Sequence, residues 1–510
     1  MLDFLKEQWK SREDDLSPSG GARFCAPWFW RLVFLGILGL GLTLRLLLFL
    51  SNPSLRQSEA SLALNVIQSS FPDLVLKPLR YHQAAPPVFL MLTKALVSFL
   101  GKSEYVLRLL PFLSSAAGLF LYGRFLNRHF SRSAALTAFF LLSSSATLIF
   151  FSSDFKPYAV DVFAAVVIYE FSVTFLQRPL AARDGLIFGL AGAVLLWCSY
   201  ASVFVLAGAG LALILRVLAR RQREEVLSVL GMIAGWMVSF SVLYFVNLRA
   251  ASSSPALVRY WKDAYLAFPV SGTWLTARFL NMLSNPGMIA FPAAGAAALL
   301  AGMIYLTRRS PMLPVLFLSP FLFALAASAL QRYAFDGRLL LFAVPGLYAV
   351  MGEGIGGLLQ GSGKALRFSG VVLALLLLGP TLLGKETHCF YCRHDREEIK
   401  PALHYLLENR QEGDTVYVYY ETVRAFDYYA ELYGFDTDEV VRGAWLKEDR
   451  LKVLNELEPL KDKKRVWVFL GQHFHPGDKV NIPNYMDGIA IREQVFTTAG
   501  ADVYLYRARA

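Results

Sequence analysis

Charge is scarce in this 510-residue chain: 17% of the residues are Asp, Glu, Lys or Arg, where a soluble domain carries about a quarter. The few charges cluster in short patches between long apolar runs. There is no phosphate-binding glycine loop, no HExxH and no nucleophile elbow, so the common soluble hydrolase and nucleotide-binding signatures are excluded. No platform of interleaved basic and aromatic residues suits nucleic acid. No internal repeat or low-complexity tract appears, which argues against a secondary transporter built on an inverted repeat. Cysteine is nearly as rare, with four in the chain. Cys25 and Cys198 stand alone, whereas Cys389 and Cys392 form a Cys-Phe-Tyr-Cys element flanked by His388 and His394. That element reads as a short-loop disulfide, a metal site or two free thiols.

Apolar residues are plentiful, at 55%, with a mean hydropathy of +0.43. A run of ~20 such residues spans the ~30 Å hydrocarbon layer as a helix. Backbone amides in lipid pair within their own segment, so repeated runs of this length mean helices. The runs lie at 29–50, 106–126, 134–151, 158–176, 185–199, 202–218, 227–246, 288–306, 312–330, 339–358 and 368–384. The first is too long for a cleaved signal peptide and lacks a small-residue cleavage site, so it reads as a retained span. The net charge of +11 sits at the ends of these runs, as topology and anionic headgroups require.

The basic residues set the orientation. Lys6, Lys10, Arg12, Arg23 and Arg31 place the N-terminus in the cytoplasm, and loops bearing Arg124, Arg128, Arg132, Arg308, Arg309 and Lys364 fall on the same side. Two long segments, 51–105 and 247–287, then lie outside. The first has polar and apolar residues at helical spacing and reads as helices lying on the membrane surface. The second is rich in interfacial aromatics such as Tyr260, Trp261 and Trp274.

After Gly384 the composition changes. Ile399–Asn409 and Val423–Leu432 read as helices, and Thr415–Tyr420, Arg465–Leu470 and Ala501–Arg507 as strands. The expected fold is therefore mainly α: a polytopic transmembrane helix bundle of about 11 spans with a small C-terminal extracytoplasmic α/β domain. Residues 1–28 form a cytoplasmic segment, 29–384 the membrane domain and 385–510 the outer domain.

Several residues have the chemistry of a site. Glu59, just beyond the first span, reads as a general base at the membrane surface or as a solvated loop charge. Asp154 and Lys156, where the third span meets the fourth, read as substrate ligands or an interfacial ion pair. Asp161 lies about a turn inside a span, where a carboxylate needs a cavity or a partner. Arg332 and Arg338 flank Tyr333 and Gly337; two guanidinium groups there suit a phosphate at headgroup depth or snorkel to lipid. Arg249, Arg259 and Lys262 pose the same choice. His473 and His475 face one way on an extended segment, with no further metal ligand nearby.

Three stretches carry a family resemblance: Ser58-Glu59-Ala60, then Tyr81-His82-Gln83-Ala84-Ala85-Pro86-Pro87, then Glu104 to Pro111. Ser152 to Tyr158 and Arg332 to Leu340 add to it. In order, spacing and topology the chain resembles the GT-C membrane glycosyltransferases, in particular glycosyltransferase family 39, with protein mannosyltransferases and the lipid A aminoarabinose transferase as relatives. The resemblance implies an inverting transfer of a sugar from a polyprenyl-phosphate donor to an acceptor hydroxyl. The acceptor would be a lipid, glycan or protein, at the outer face of a bacterial inner membrane, with the C-terminal domain periplasmic. Glu59 would be the base, with Asp154 second. Arg80, Tyr81, His82, Gln83, Lys156, Tyr158, Arg332, Tyr333 and Arg338 would bind donor phosphate or substrate. No cofactor is implied with certainty, and a divalent metal stays open. The family's usual Asp-Glu pair is here Ser58-Glu59, which keeps a non-catalytic glycolipid-binding scaffold as the alternative, with a secondary transporter behind it.

Overall fold

The computed structural model describes residues 27–220, 223–384, 397–436, 440–444, 455–471 and 478–509. The helices run in chain order α1 Pro27–Ser51, α2 Gln57–Gln68, α3 Phe71–Leu76, α4 Pro87–Leu100, α5 Glu104–His129, α6 Arg132–Ser144, α7 Ala146–Phe151, α8 Tyr158–Gln177, α9 Ala182–Cys198, α10 Ser202–Arg220 and α11 Arg223–Leu243. A π-turn, Tyr244–Leu248, continues α11. The short helices α12 Arg249–Ser252, α13 Pro255–Tyr260 and α14 Gly272–Ser284 follow. The bundle closes with α15 Pro292–Arg309, α16 Met312–Ala329, α17 Val344–Gln360 and α18 Lys364–Leu382.

Eight helical segments among the described residues are long and apolar enough to cross a membrane. The chain is a multi-pass membrane protein. All eleven apolar runs fold as helix, but three fall short of a span. The run at 134–151 breaks into α6 and α7 at Ser145. Helix α9 has 17 residues, and α15 has Arg308 and Arg309 in its last turn, which lower its hydropathy.

The break at Ser145 exposes carbonyls that lack helical partners. Arg45, 1% exposed inside the bundle, supplies donors for them: it bonds the carbonyl of Ser143 at 2.9 Å and that of Leu142 at 3.3 Å, besides that of Gly41 in its own helix at 2.9 Å. A guanidinium in an apolar bundle is tolerated when its donors are taken up in this way. Helices α8 and α17 are buried along most of their length at the centre of the bundle. Helix α17 packs on α6 and α15. At Gly302 a Cβ would lie 2.0 Å from the Val350 carbonyl, and at Gly354 2.2 Å from that of Ala298, so α15 and α17 meet backbone to backbone.

The C-terminal domain contains α19 Ile399–Asn409, β1 Thr415–Val418, α20 Val423–Tyr433, β2 Val440–Arg442, β3 Arg465–Leu470, α21 Asp478–Ile489, β4 Ala490–Thr498 and β5 Ala501–Ala508. Its sheet has the order β2-β1-β3-β5-β4. Strand β1 pairs in parallel with β2 and β3, while β5 pairs antiparallel with β3 and β4. Alternate residues serve opposite faces. Val416, Val418, Trp467 and Phe469 pack toward α19 and α20, in one core with residues of α2, α4 and α5. Tyr417, Val466 and Val468 pack on the other side with Leu460, Ile482 and Met486.

Three sequence expectations are corrected here. Helix α2 is not an exposed surface helix: Glu59 to Val66 are buried, because α20 covers it. Strand β2 was missed because it has only three residues. Strand β4 was missed because it is an edge strand whose residues from Ile491 to Val495 are exposed, leaving no alternation of burial to read.

Candidate active site

The first long loop, the 152–157 turn, the 332–340 segment and the C-terminal domain meet at one end of the bundle. The 52–56 linker leads from α1 into α2, and α2 carries Glu59 in its first turn. Glu59 is 2% exposed. Its Oε1 accepts from Arg108 Nε at 3.0 Å and from the Phe155 amide at 2.8 Å. Its Oε2 accepts from Arg108 Nη2 at 3.0 Å and from the Arg56 amide at 3.1 Å. A carboxylate offers about four acceptor sites, so Glu59 is fully engaged. Burial pushes its carboxyl upward, but Arg108 and Arg56 outweigh this and hold it below the usual carboxylate range.

Asp154 is equally buried, at 2%, yet half free. Oδ1 accepts from Arg56 Nη2 at 2.6 Å, while Oδ2 has no hydrogen-bond partner. Burial raises the Asp154 carboxyl above its ordinary value, against the pull of Arg56 and with the push of the Glu59 charge. The Phe155 amide held by Glu59 is the next residue along, so Glu59 fixes the turn that presents Asp154. The Arg56 guanidinium also lies 4.6 Å from the Phe150 ring centroid, which limits its swing.

Lys156 shares the turn. Its Nζ donates to Gln83 Oε1 at 2.7 Å. Burial lowers its amine to about 7, with Asp154 opposing and Arg338 adding to the shift. Arg338 is half-buried, with its guanidinium 6.0 Å from the Tyr158 ring and 5.5 Å from the Trp261 ring. Its Nε has no hydrogen-bond partner. Tyr158 sits in the first turn of α8 and packs edge-on against Phe151. Three cations and one half-free carboxylate therefore face a common region.

Gln83 is delivered by a strained turn. Tyr81 and His82 have φ of +62° and +53°, the left-handed region that most side chains avoid. The turn is clamped by Asn65, which accepts from the Arg80 amide at 2.8 Å and donates to the Arg80 carbonyl at 3.1 Å. The Tyr81 ring lies 4.0 Å beneath the Arg424 guanidinium of the C-terminal domain.

The other candidates fall outside this cluster. The Arg80 and His82 side chains are exposed. Arg332 is exposed and donates to Ser253 Oγ at 2.8 Å. Tyr333 donates to the Leu339 carbonyl at 2.6 Å and packs on Phe204, a structural duty. Asp161 shares a hydrogen bond with Ser199 on the neighbouring segment. Cys25, Cys389, Cys392, His388, His394, His473 and His475 lie outside the described residues. Among the described residues no three His, Cys, Asp or Glu side chains gather as metal ligands would.

Sequence reasoning gave no role to Arg56 or Arg108. Arg108 carried a usable signal, since an arginine within an apolar helix needs a buried partner. Arg56 carried none, because an arginine at the membrane surface ordinarily snorkels to solvent.

No protein-family model and no curated protein sequence matches this chain. Solved structures do. ArnT from Cupriavidus metallidurans bound to undecaprenyl phosphate has a TM-score of 0.51 at 15% identity, covering 94% of this chain and 98% of that one. The same protein in its apo state gives a TM-score of 0.50, with the same identity and coverage. The Archaeoglobus fulgidus oligosaccharyltransferase in its apo form gives 0.49 at 13% identity, covering 87% of this chain and 70% of that one. At 15% identity the likeness to ArnT is one of fold, and this architecture, helix bundle and small C-terminal mixed sheet together, resembles the GT-C fold.

Proposed function

We propose that this chain is an inverting glycosyltransferase that moves a sugar from a polyprenyl-phosphate donor to an acceptor hydroxyl at the outer face of the membrane. The observation that carries the reading is the unpartnered, buried Oδ2 of Asp154 beside three cations, at one end of a GT-C-like bundle. The ArnT structure of like fold is described as bound to undecaprenyl phosphate, which supports a donor of that class.

In this reading Asp154 is the general base. Oδ2 takes the acceptor hydroxyl proton as the acceptor oxygen bonds to the anomeric carbon. The bond from that carbon to the phosphate oxygen breaks, and its electron pair leaves with the polyprenyl phosphate. Arg338 and Lys156 bind the phosphate and neutralise its growing charge, while Arg56 holds Asp154 through Oδ1. Phosphate is a good leaving group, so no separate acid is needed. The products are the glycosylated acceptor and polyprenyl phosphate, and the proton on Asp154 returns to solvent. Glu59, with every acceptor site filled, positions the Asp154 turn. Arg80 and Arg332 are exposed and take no part in this step.

A second reading has its own observation. Ser58 stands where the resemblance calls for Asp, and the adjacent acid is fully paired. A scaffold that binds polyprenyl phosphate without transfer would look the same. Sugar transfer from radiolabelled polyprenyl-phosphate sugars, in membranes expressing wild type, Asp154→Asn or Glu59→Gln, separates the two. Release of polyprenyl phosphate that vanishes in a folded Asp154→Asn variant supports the transferase and its base. Lipid binding with no turnover for any donor supports the scaffold.

A further inference from the structure

We infer that the C-terminal domain is a working part of the site, with Glu397 and Tyr429 as positioning residues: Glu397 caps the start of α2 from outside, Tyr429 pins the linker residue before the cap, and together they hold Arg56 against Asp154. This rests on the reading of Asp154 as the base and extends it to a domain that the chemistry itself does not require.

The first amides of a helix lack intrahelical partners and are ordinarily served by a Ser, Thr, Asp or Asn at the cap. Here the cap position is Arg56, whose side chain is committed to Asp154. The C-terminal domain satisfies the first of these donors, the Gln57 amide, and also takes the Leu55 amide just before the cap. Leu55 donates its amide to Tyr429 Oη at 2.6 Å, and Gln57 donates its amide to Glu397 Oε2 at 2.8 Å. These two amides bracket Arg56. Its own amide goes to Glu59.

The rest of the linker is held as closely. Lys400 Nζ donates to the Asn52 carbonyl at 2.8 Å, and Ser54 Oγ donates to Glu398 Oε2 at 3.1 Å. Arg108 takes the Pro53 and Ser54 carbonyls at 2.7 and 3.3 Å. Tyr429 Oη in turn donates to Glu104 Oε1 at 3.1 Å, which also pairs with Lys400 at 3.0 Å. The Gln57 side chain accepts from the Arg424 amide at 3.1 Å.

These contacts are dry. Leu55 and Tyr429 are fully buried and Glu397 is 4% exposed. Burial pushes the Glu397 carboxyl up to about 7, with the Gln57 amide and Arg56 opposing and Glu59 and Glu421 adding to the rise. A carboxyl kept buried at that cost for one backbone amide points to a demand for geometry. Domain adhesion alone does not require it, since the apolar core shared with α2 already supplies that. The Arg56–Asp154 contact at 2.6 Å has little slack, and a misplacement of ~1 Å at a reacting group can cost about 10²-fold in rate.

The test uses the full chain in lipid nanodiscs, with Glu397→Ala, Glu397→Gln and Tyr429→Phe. We expect kcat per folded molecule to fall ~10–100-fold in Glu397→Ala, with the donor KM within about twofold of wild type. Glu397→Gln keeps an acceptor oxygen for the Gln57 amide and should restore most of the rate. Amide hydrogen exchange at Leu55 should speed up in Tyr429→Phe, and exchange at Gln57 in Glu397→Ala but not in Glu397→Gln. Faster exchange with unchanged kcat would reduce the contact to domain glue and overturn the positioning role. Unchanged exchange would overturn the cap itself. If the wild type transfers no sugar, the glycosyltransferase reading and the catalytic positioning role fall together. The cap is then decided by exchange alone.

Discussion

Arg108 and Glu59 form a two-pronged ion pair in which both side chains are 2% exposed, with Nε to Oε1 and Nη2 to Oε2 both at 3.0 Å. The pair joins the second turn of α5 to the first turn of α2. Through the Phe155 amide it also anchors the turn that bears Asp154. The acid that reads as a base from its place in the loop has both oxygens engaged in this network.

Removing one member of a buried pair leaves a bare charge and costs about 3–5 kcal/mol. Arg108→Met should therefore lower the thermal midpoint of the purified protein by many degrees and reduce its folded yield. Arg108→Lys keeps the charge but not the planar fork, and should fall between the two. Thermal unfolding in detergent reads this. An unchanged midpoint in Arg108→Met would show that the pair does not hold α2.

Asp154→Asn should lower kcat by about 10²–10⁴, the usual contribution of a positioned base. Affinity for polyprenyl phosphate should stay near wild type, because the cations remain. Single-turnover rates alongside lipid-binding isotherms measure both. A variant with full turnover would remove Asp154 from the chemistry.

The pH profile should be bell-shaped in kcat/KM, which reports the free enzyme. A base at Asp154 would work as the carboxylate, and burial raises its carboxyl. The rate should thus fall with falling pH at values above the ~3.9 of an ordinary Asp. Lys156 titrates at about 7 and is charged only below that, so donor capture should weaken as pH rises through 7. Lys156→Arg, which stays charged, should flatten the alkaline limb and leave the acid limb in place.

Arg338→Ala should raise the donor KM about tenfold or more, as expected when a charge-assisted contact is lost. Arg338→Lys should not restore it fully, because an ammonium lacks the planar fork of the guanidinium that stands over the Tyr158 and Trp261 rings. Initial rates over a donor series decide this. Equal KM values for Lys and Arg would mean that charge alone matters there.

Much of the fold was legible because helix formation in lipid is a local matter. Every apolar run became a helix, and Ile399–Asn409 and Arg465–Leu470 fall at the residues expected from their periodicity. Two features escape that local pattern. Ser145 breaks one run where Arg45, about 100 residues earlier, takes the freed carbonyls, and an exposed edge strand carries no burial pattern.

Within the site, the sequence placed the acids and bases near one membrane face, because hydropathy and basic-residue asymmetry set the topology. It placed Glu59, Asp154, Lys156 and Arg338 as candidates but ranked Glu59 first. Only the tertiary structure distinguishes the two acids, with Glu59 engaged at both oxygens and Asp154 at one. Whether a carboxylate is engaged or free depends on donors remote in the chain, here Arg108, Phe155 and Arg56. The holds that Glu397 and Tyr429 place on Gln57 and Leu55 come from beyond the last span. Burial and pairing are properties of the folded contacts, and no residue's own neighbours in sequence encode them.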